Sequence, residues 1–197
     1  MEYEMISLDK LKPLEMVFKH HLMNLEKIIF DSKHITSPII ADKDNHIILD
    51  GSHRYVLFLM KGHKYTPVKL VDYNDEHIRV GSHLKHRFLD DGNITLSKQE
   101  VIYRGNNGIL LPPRTTRHFF PFRKTDSIDV SIDSIETREG INVSRFISND
   151  DVTKEIKHNE KYIKEINEEM NEILNYIKEQ NNTKEYLIKQ IEMMKNY

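Results

Sequence analysis

Apolar positions along this chain follow several distinct rhythms, and each predicts a different kind of element. Residues 5–8 (MISL) read as a short strand. Residues 9–13 follow as a turn in which Pro13 disfavours helix just before it. A helix is expected from about Glu15, because Val17, Leu22, Leu25, Ile28 and Ile29 recur at three- and four-residue spacing. Residues 38–41 (PIIA) and 46–49 (HIIL) flank the turn DKDN, which is a hairpin signature. The nearly continuous apolar run 55–60 suits a buried helix stopped by Gly62, and residues 67–72 (PVKLVD) suit another strand. The expected order is strand, helix, hairpin, helix, strand.

Beyond this the pattern loosens. Residues 77–91 are polar, rich in histidine and only weakly helical in period. Ser97 and Glu100 have capping-box spacing and predict a short helix over 97–103, with Gly105, Gly108, Pro112 and Pro113 in a loop after it. The strictly alternating stretch 127–135 and the stretch 141–146 predict two further strands. From Asp150 there is no Gly or Pro, and Val152, Ile156, Ile163, Ile166, Met170, Ile173 and Ile177 trace a helical stripe. Gln180-Asn181-Asn182 interrupt it, and Leu187, Ile191 and Met194 resume it after Thr183 as a cap. This predicts a helical hairpin or one broken helix. Glu160/Lys164 and Glu185/Lys189 stand at the favourable four-residue spacing. The expected class is α/β (α+β): a domain over 1–125, short strands completing or capping it over 126–149, and a helical appendage or coiled coil over 150–197, through which a homodimer is conceivable.

Composition narrows the chemistry. With 197 residues, 38% hydrophobic and 30% charged, the chain can hold one ordinary domain and a solvated extension. A formal net charge of -2 supplies no global field for a polyanion, which argues against nucleic acid as a partner. The absence of cysteine removes disulfides, thiolate metal sites and cysteine redox chemistry. The first residues are acidic where a signal peptide is basic, and no apolar run approaches ~20 residues, so a cytoplasmic protein without membrane contact is expected. His77, His83 and His86 invite a zinc reading, but with no cysteine and no helical H-E-x-x-H spacing a solvated or loop role is the better one.

The strongest chemical signal is Asp50-Gly51-Ser52-His53-Arg54 between an apolar strand and an apolar helix. Such a corner aims backbone N–H groups and the positive end of a helix dipole at one point, which suits an anion. Arg54 can fork onto phosphate oxygens, and Asp50 can bind a hydroxyl or a metal ion. Residues 111–118 (LPPRTTRH) read as a second anion grip. Pro112 and Pro113 stiffen the backbone, so that Thr115, Thr116, Arg117 and His118 lose less entropy on binding. Glu15 by itself is equally well explained as an acidic residue in the first turn of a helix.

The stretch 38–73, from the proline-led strand through D-G-S-H-R to the P-V strand, resembles the ParB/sulfiredoxin superfamily. Sulfiredoxin chemistry would need a cysteine where Ser52 stands, and the ~25 residues that directly follow Tyr73 are too few for the helix-turn-helix domain of the DNA-partition members. Two more segments are similar to the free L-serine kinase branch. LKPLE, ending at Glu15, resembles its L-x-P-H-E motif with Leu14 in place of histidine, and PPRTTRH resembles its P-P-K-T-T-R-H segment.

The resemblance implies a kinase that moves phosphate from ATP or ADP, with Mg2+, to the side-chain hydroxyl of L-serine. It assigns Glu15, Asp50 and His53 to catalysis, with Glu15 as the base. Phosphate falls to Gly51, Ser52, His53, Arg54, Thr115, Thr116, Arg117 and His118, with Asp50 as a metal partner. The alternative is a ParB-like nucleotide-binding or DNA-associated regulator without kinase activity. The short span 74–99, where such kinases carry a longer pocket-forming region, leaves the acceptor open.

Overall fold

The structure is a computed structural model describing residues 2–81, 96–122, 127–148 and 152–195. It divides into two compact units, Met1–Asp150 and Asp151–Tyr197. In the first, β1 (Glu4–Ser7) runs into a 3₁₀ turn, and an extended stretch leads to α1 (Lys19–Ser32). Next come β2 (His34–Ile35), β3 (Ile39–Asp42), β4 (Ile48–Asp50), α2 (Ser52–Met60) and β5 (Tyr65–Val71). The small elements β6 (Arg79–Gly81), α3 (Lys98–Asn107), β7 (Arg117–Phe119) and β8 (Val130–Ser131) complete the unit.

Four strands form one mixed sheet in the order β1-β5-β3-β4. β3 pairs antiparallel with β4, as the hairpin pattern predicts, and parallel with β5. Pro67 lies in the part of β5 that has only β1 beside it, since pairing with β3 begins at Val68, and such an edge position is where a strand tolerates proline. All of β3 is buried because both faces of the sheet are covered. Ile39, Ala41, Ile48 and Val68 face one core with Leu22 and Ile29 of α1 and Val56 and Phe58 of α2. Ile40, Ile47, Leu49 and Val71 face the other core, with Val101 of α3, Leu14 and Leu111. Residues one apart thus feed opposite cores, as the two-residue period of a strand requires.

Several sequence expectations are corrected. α1 begins at Lys19, not near Glu15, and Ile28 is exposed rather than part of its buried stripe. Gly105 is buried inside α3 rather than in a loop, while the Ser97 cap forms as expected, its hydroxyl accepting from the Glu100 amide at 3.1 Å. Of the alternating stretch 127–135, only Val130–Ser131 is strand. It pairs with β2 and is followed by a 3₁₀ turn, and residues 144–146 form another such turn instead of a strand. Ile128, Val130, Ile132, Ile135, Val143 and Phe146 nevertheless enter the first core.

The second unit is α4 (Val152–Lys195), a single uninterrupted helix where a hairpin or a break at 180–182 was expected. Polar amides cost only tenths of a kcal/mol each in a helix, too little to break one that lacks Gly and Pro. Thr183 does not cap; its hydroxyl donates to the Glu179 carbonyl one turn back, at 3.0 Å. Lys161–Glu165 and Lys164–Glu168 pair along it at 3.8 Å. Among the described residues no helix is long and apolar enough to cross a membrane. His83 and His86 lie outside the described residues, and His77 is exposed and bonded to Asp75 at 2.9 Å.

Candidate active site

Chain segments far apart in sequence meet around the extended stretch 12–17. Lys12 pairs with the start of the β4 region, donating its amide to His46 and accepting from Ile48, both at 2.9 Å. Leu111 donates to the Leu14 carbonyl and accepts from the Met16 amide, also at 2.9 Å, which sets Glu15 beside the PPRTTRH segment. Val17 is tied in turn to Phe146 and Ser148. Extended backbone sends neighbours to opposite sides, so Leu14 enters the second core while Glu15 faces away from it. Glu15 therefore owes its place to strand-like pairing and not to a helix dipole.

The Glu15 carboxylate accepts two bonds on Oε1, from the Thr116 amide at 2.5 Å and the Thr116 hydroxyl at 2.6 Å. Its pKa is raised from 4.5 to about 7, chiefly because burial penalises the charged form. The Thr116 bonds and one from the Arg114 backbone oppose that rise, and the negative charge of Asp50 adds to it. The last contribution is spatial as well as energetic: Asp50, at the end of β4, lies within electrostatic reach of Glu15.

At the corner itself Gly51 has φ +104°, a conformation that side chains rarely adopt, and a Cβ there would come within 3.0 Å of Arg54 Nη2. Ser52 opens α2, so the amides of its first turn surround the corner. Arg54 folds inward rather than outward. Its Nη1 donates to the carbonyls of Ser37 at 2.7 Å and Pro38 at 2.6 Å, and its Nη2 to Asp50 Oδ2 at 3.2 Å. In this arrangement the guanidinium orients Asp50 and closes the corner. His53 Nε2 accepts the Phe18 amide at 3.2 Å, which a doubly protonated ring cannot do. In this state His53 anchors the start of α1.

The segment 115–118 divides. Thr115 donates to the Pro112 carbonyl at 2.7 Å, and Thr116 holds Glu15. Arg117 and His118 are consecutive in β7 and point opposite ways: Arg117 is exposed, while His118 is buried against Tyr73, its Nε2 2.9 Å from the phenol oxygen. Burial raises the Tyr73 pKa, which keeps the phenol protonated and able to donate. The two cannot clamp one phosphate together as the sequence reading had it, because strand alternation separates them.

Sequence reasoning missed Arg114, His20 and His21. Arg114 has a positive φ of 59°, and its Nη2 lies 3.1 Å from His21 Nε2 in the first turn of α1. His21 stands edge-on to His53 at 5.5 Å, and His20 packs on His21 at 4.5 Å. Only the doublet of histidines and the arginine before the threonines hinted at this, and neither has a diagnostic spacing. Among the described residues no group of three or more His, Cys, Asp or Glu side chains could hold a metal ion by itself. Asp50 remains a suitable single carboxylate for magnesium carried in on phosphate oxygens, the usual mode for that ion.

No family model matches the chain. A ParB-like protein of Sulfolobus acidocaldarius is 35% identical over 79 residues, 40% of this chain and 39% of that protein. An ATP-dependent L-serine kinase of Staphylothermus marinus is 30% identical over 80 residues, 39% of this chain and 32% of the relative. The matched stretch thus spans well under half the length of either curated relative. Among solved structures, a glutamate-to-glutamine mutant of a free serine kinase in complex with AMP superposes with a TM-score of 0.61 at 19% identity, over 69% of this chain and 95% of the other. The chain shares the α/β fold of that serine kinase structure and continues into a long C-terminal helix, and over about 40% of its length it is similar to a ParB-like protein and to an L-serine kinase.

Proposed function

We propose that this chain is a nucleotide-dependent kinase that converts free L-serine to O-phospho-L-serine. The observation that carries the reading is Glu15: a carboxylate with a pKa of about 7, fixed by Thr116 and within electrostatic reach of Asp50 at a glycine corner suited to phosphate. A general base works best with a pKa near the working pH, and this one has it. Glu15 takes the proton of the serine hydroxyl as that oxygen bonds to the terminal phosphorus. The bond from phosphorus to the bridging oxygen breaks, and the nucleotide leaves with one phosphate fewer.

The amides at the start of α2, from Ser52 onward, hold the transferring phosphate, and exposed Arg117 reaches it from outside. Arg54 positions Asp50 rather than gripping phosphate. Asp50 would hold Mg2+, which neutralises charge on the phosphate oxygens when bound. The AMP-bound serine kinase structure and the ATP-dependent relative support an adenine nucleotide as donor.

The test incubates purified protein with L-serine, magnesium and ATP or ADP, and measures phosphoserine. Glu15→Gln is expected to lower turnover on the order of a hundredfold or more while nucleotide binding stays intact. Nucleotide binding without phosphoserine from either donor would return the chain to the regulator reading that the ParB-like relative represents. Transfer to other hydroxylated amino acids alone would keep the kinase and replace its substrate.

A further inference from the structure

The second unit carries a surface that the site chemistry does not use. Along α4 eight apolar residues share one seven-residue frame, interrupted only at Gln180 and Lys184: Ile163, Met170, Ile177 and Ile191 stand at its first position, and Ile166, Ile173, Leu187 and Met194 at its fourth. All eight are exposed, between 37% and 68%. A stripe that merely packs on a globular core follows the helical period of 3.6 and drifts out of a strict frame of seven within a few turns. This frame runs from Ile163 to Met194, roughly 48 Å of helix at ~1.5 Å per residue. A sustained period of 3.5 is the mark of a helix that supercoils around another of the same period.

We infer that α4 pairs with α4 of a second copy as a parallel, in-register, two-stranded coiled coil. The polar interruptions select this arrangement. Gln180 occupies a fourth position and Lys184 the next first position. Parallel alignment in register sets Gln180 against Gln180 and Lys184 against Lys184, and pairs every apolar layer with its own copy. Long antiparallel overlaps instead set Gln180 against an apolar residue such as Ile177 or Met170. The antiparallel register that matches Gln180 to Lys184 leaves Ile163 and Ile166 opposite no member of the stripe. Two strands suit Lys184, because its stem can lie along the seam while the ammonium reaches water, whereas a third strand would enclose it. β-branched isoleucine at most first positions also favours two strands.

The native sequence has no cysteine, so single-cysteine variants report register cleanly. Sedimentation of the full chain is expected to give twice its 23.4 kDa mass. Ile173→Cys should cross-link to its own copy under mild oxidation, as parallel alignment in register demands. The double variant Ile173→Glu/Ile177→Glu should sediment as a monomer while keeping cooperative thermal unfolding, since both positions are exposed on the helix. A monomeric or trimeric native chain, an Ile173→Cys variant that forms no cross-link, or a glutamate variant of unchanged mass would each overturn the inference.

Discussion

At the residue scale, the behaviour of Glu15 follows from what surrounds it. Its pKa rises from 4.5 to about 7 mainly through burial, against two bonds from Thr116. As a base it must be unprotonated, so turnover in the native chain is expected to climb with pH through about 7 and then level off. The residual turnover of Glu15→Gln should lack that limb. Stability has the opposite sign. The folded chain binds this proton more tightly than the unfolded one, so the contribution is complete below pH 4.5 and is lost as pH rises through about 7. Glu15→Gln is therefore expected to resist urea better than the native chain at pH 8, by on the order of 1–3 kcal/mol. At pH 4.5 the difference should have largely vanished. Equal midpoints at pH 8 would mean that the carboxylate is better solvated than its surroundings imply.

The same scale shows what the sequence could and could not reveal. Residue types at the corner were legible, because an Asp-Gly turn between an apolar strand and an apolar helix has few other uses. Side-chain direction was not. Arg54 has a fork that fits phosphate, yet the carbonyls of Ser37 and Pro38 occupy it, a contact set by how β3 enters the sheet. Arg117 and His118 separate because the segment is strand, and its partner β6 lies nearly forty residues earlier.

At the element scale, local pattern predicted local structure well: the β3–β4 hairpin, α2 and the Ser97 cap depend on residues close in sequence. The stretch 12–17 was read as a turn leading into a helix from about Glu15, because its extended form is imposed by partners at 46–48, 111 and 146–148, which no short window contains. Gly105 was misjudged for a related reason. Glycine in a helix usually marks an end, but here it lets α3 approach Ile47, the residue paired with Lys12. A Cβ at 105 would come within 2.6 Å of the Ile47 side chain. Gly105→Ala gains helix propensity, ~1 kcal/mol, but overpacks a buried contact, which typically costs ~1–3 kcal/mol. The second effect should prevail, lowering the thermal midpoint, and because Ile47 adjoins Lys12 the variant should also weaken turnover. A raised midpoint would show that α3 can shift away without cost.

At the scale of the whole molecule, the boundary that matters is where the core ends rather than where the family resemblance ends. The resemblance stops near residue 118, and beyond it the sequence offered only short strands over 126–149, read as completing or capping the domain. The core does not stop there. Ile128, Val130, Ile132 and Ile135 pack against α1 and α2, and Phe146 stands edge-on to Tyr55 at 6.0 Å. The same region supplies the Phe146 carbonyl and Ser148 amide that tie down Val17, two residues from Glu15. A chain ending at 126 would expose those apolar surfaces and release that end of the site segment. Each buried aliphatic or aromatic side chain is worth ~1.5–3 kcal/mol, so losing several exceeds the ~5–15 kcal/mol by which a domain is usually stable. That truncation is expected to be insoluble or to unfold without a cooperative transition. A chain ending at 150, where the first compact unit ends, should keep cooperative unfolding and phosphoserine formation. If the 1–126 chain instead folded and turned over serine, residues 127–148 would be an ornament on the domain and not part of its core.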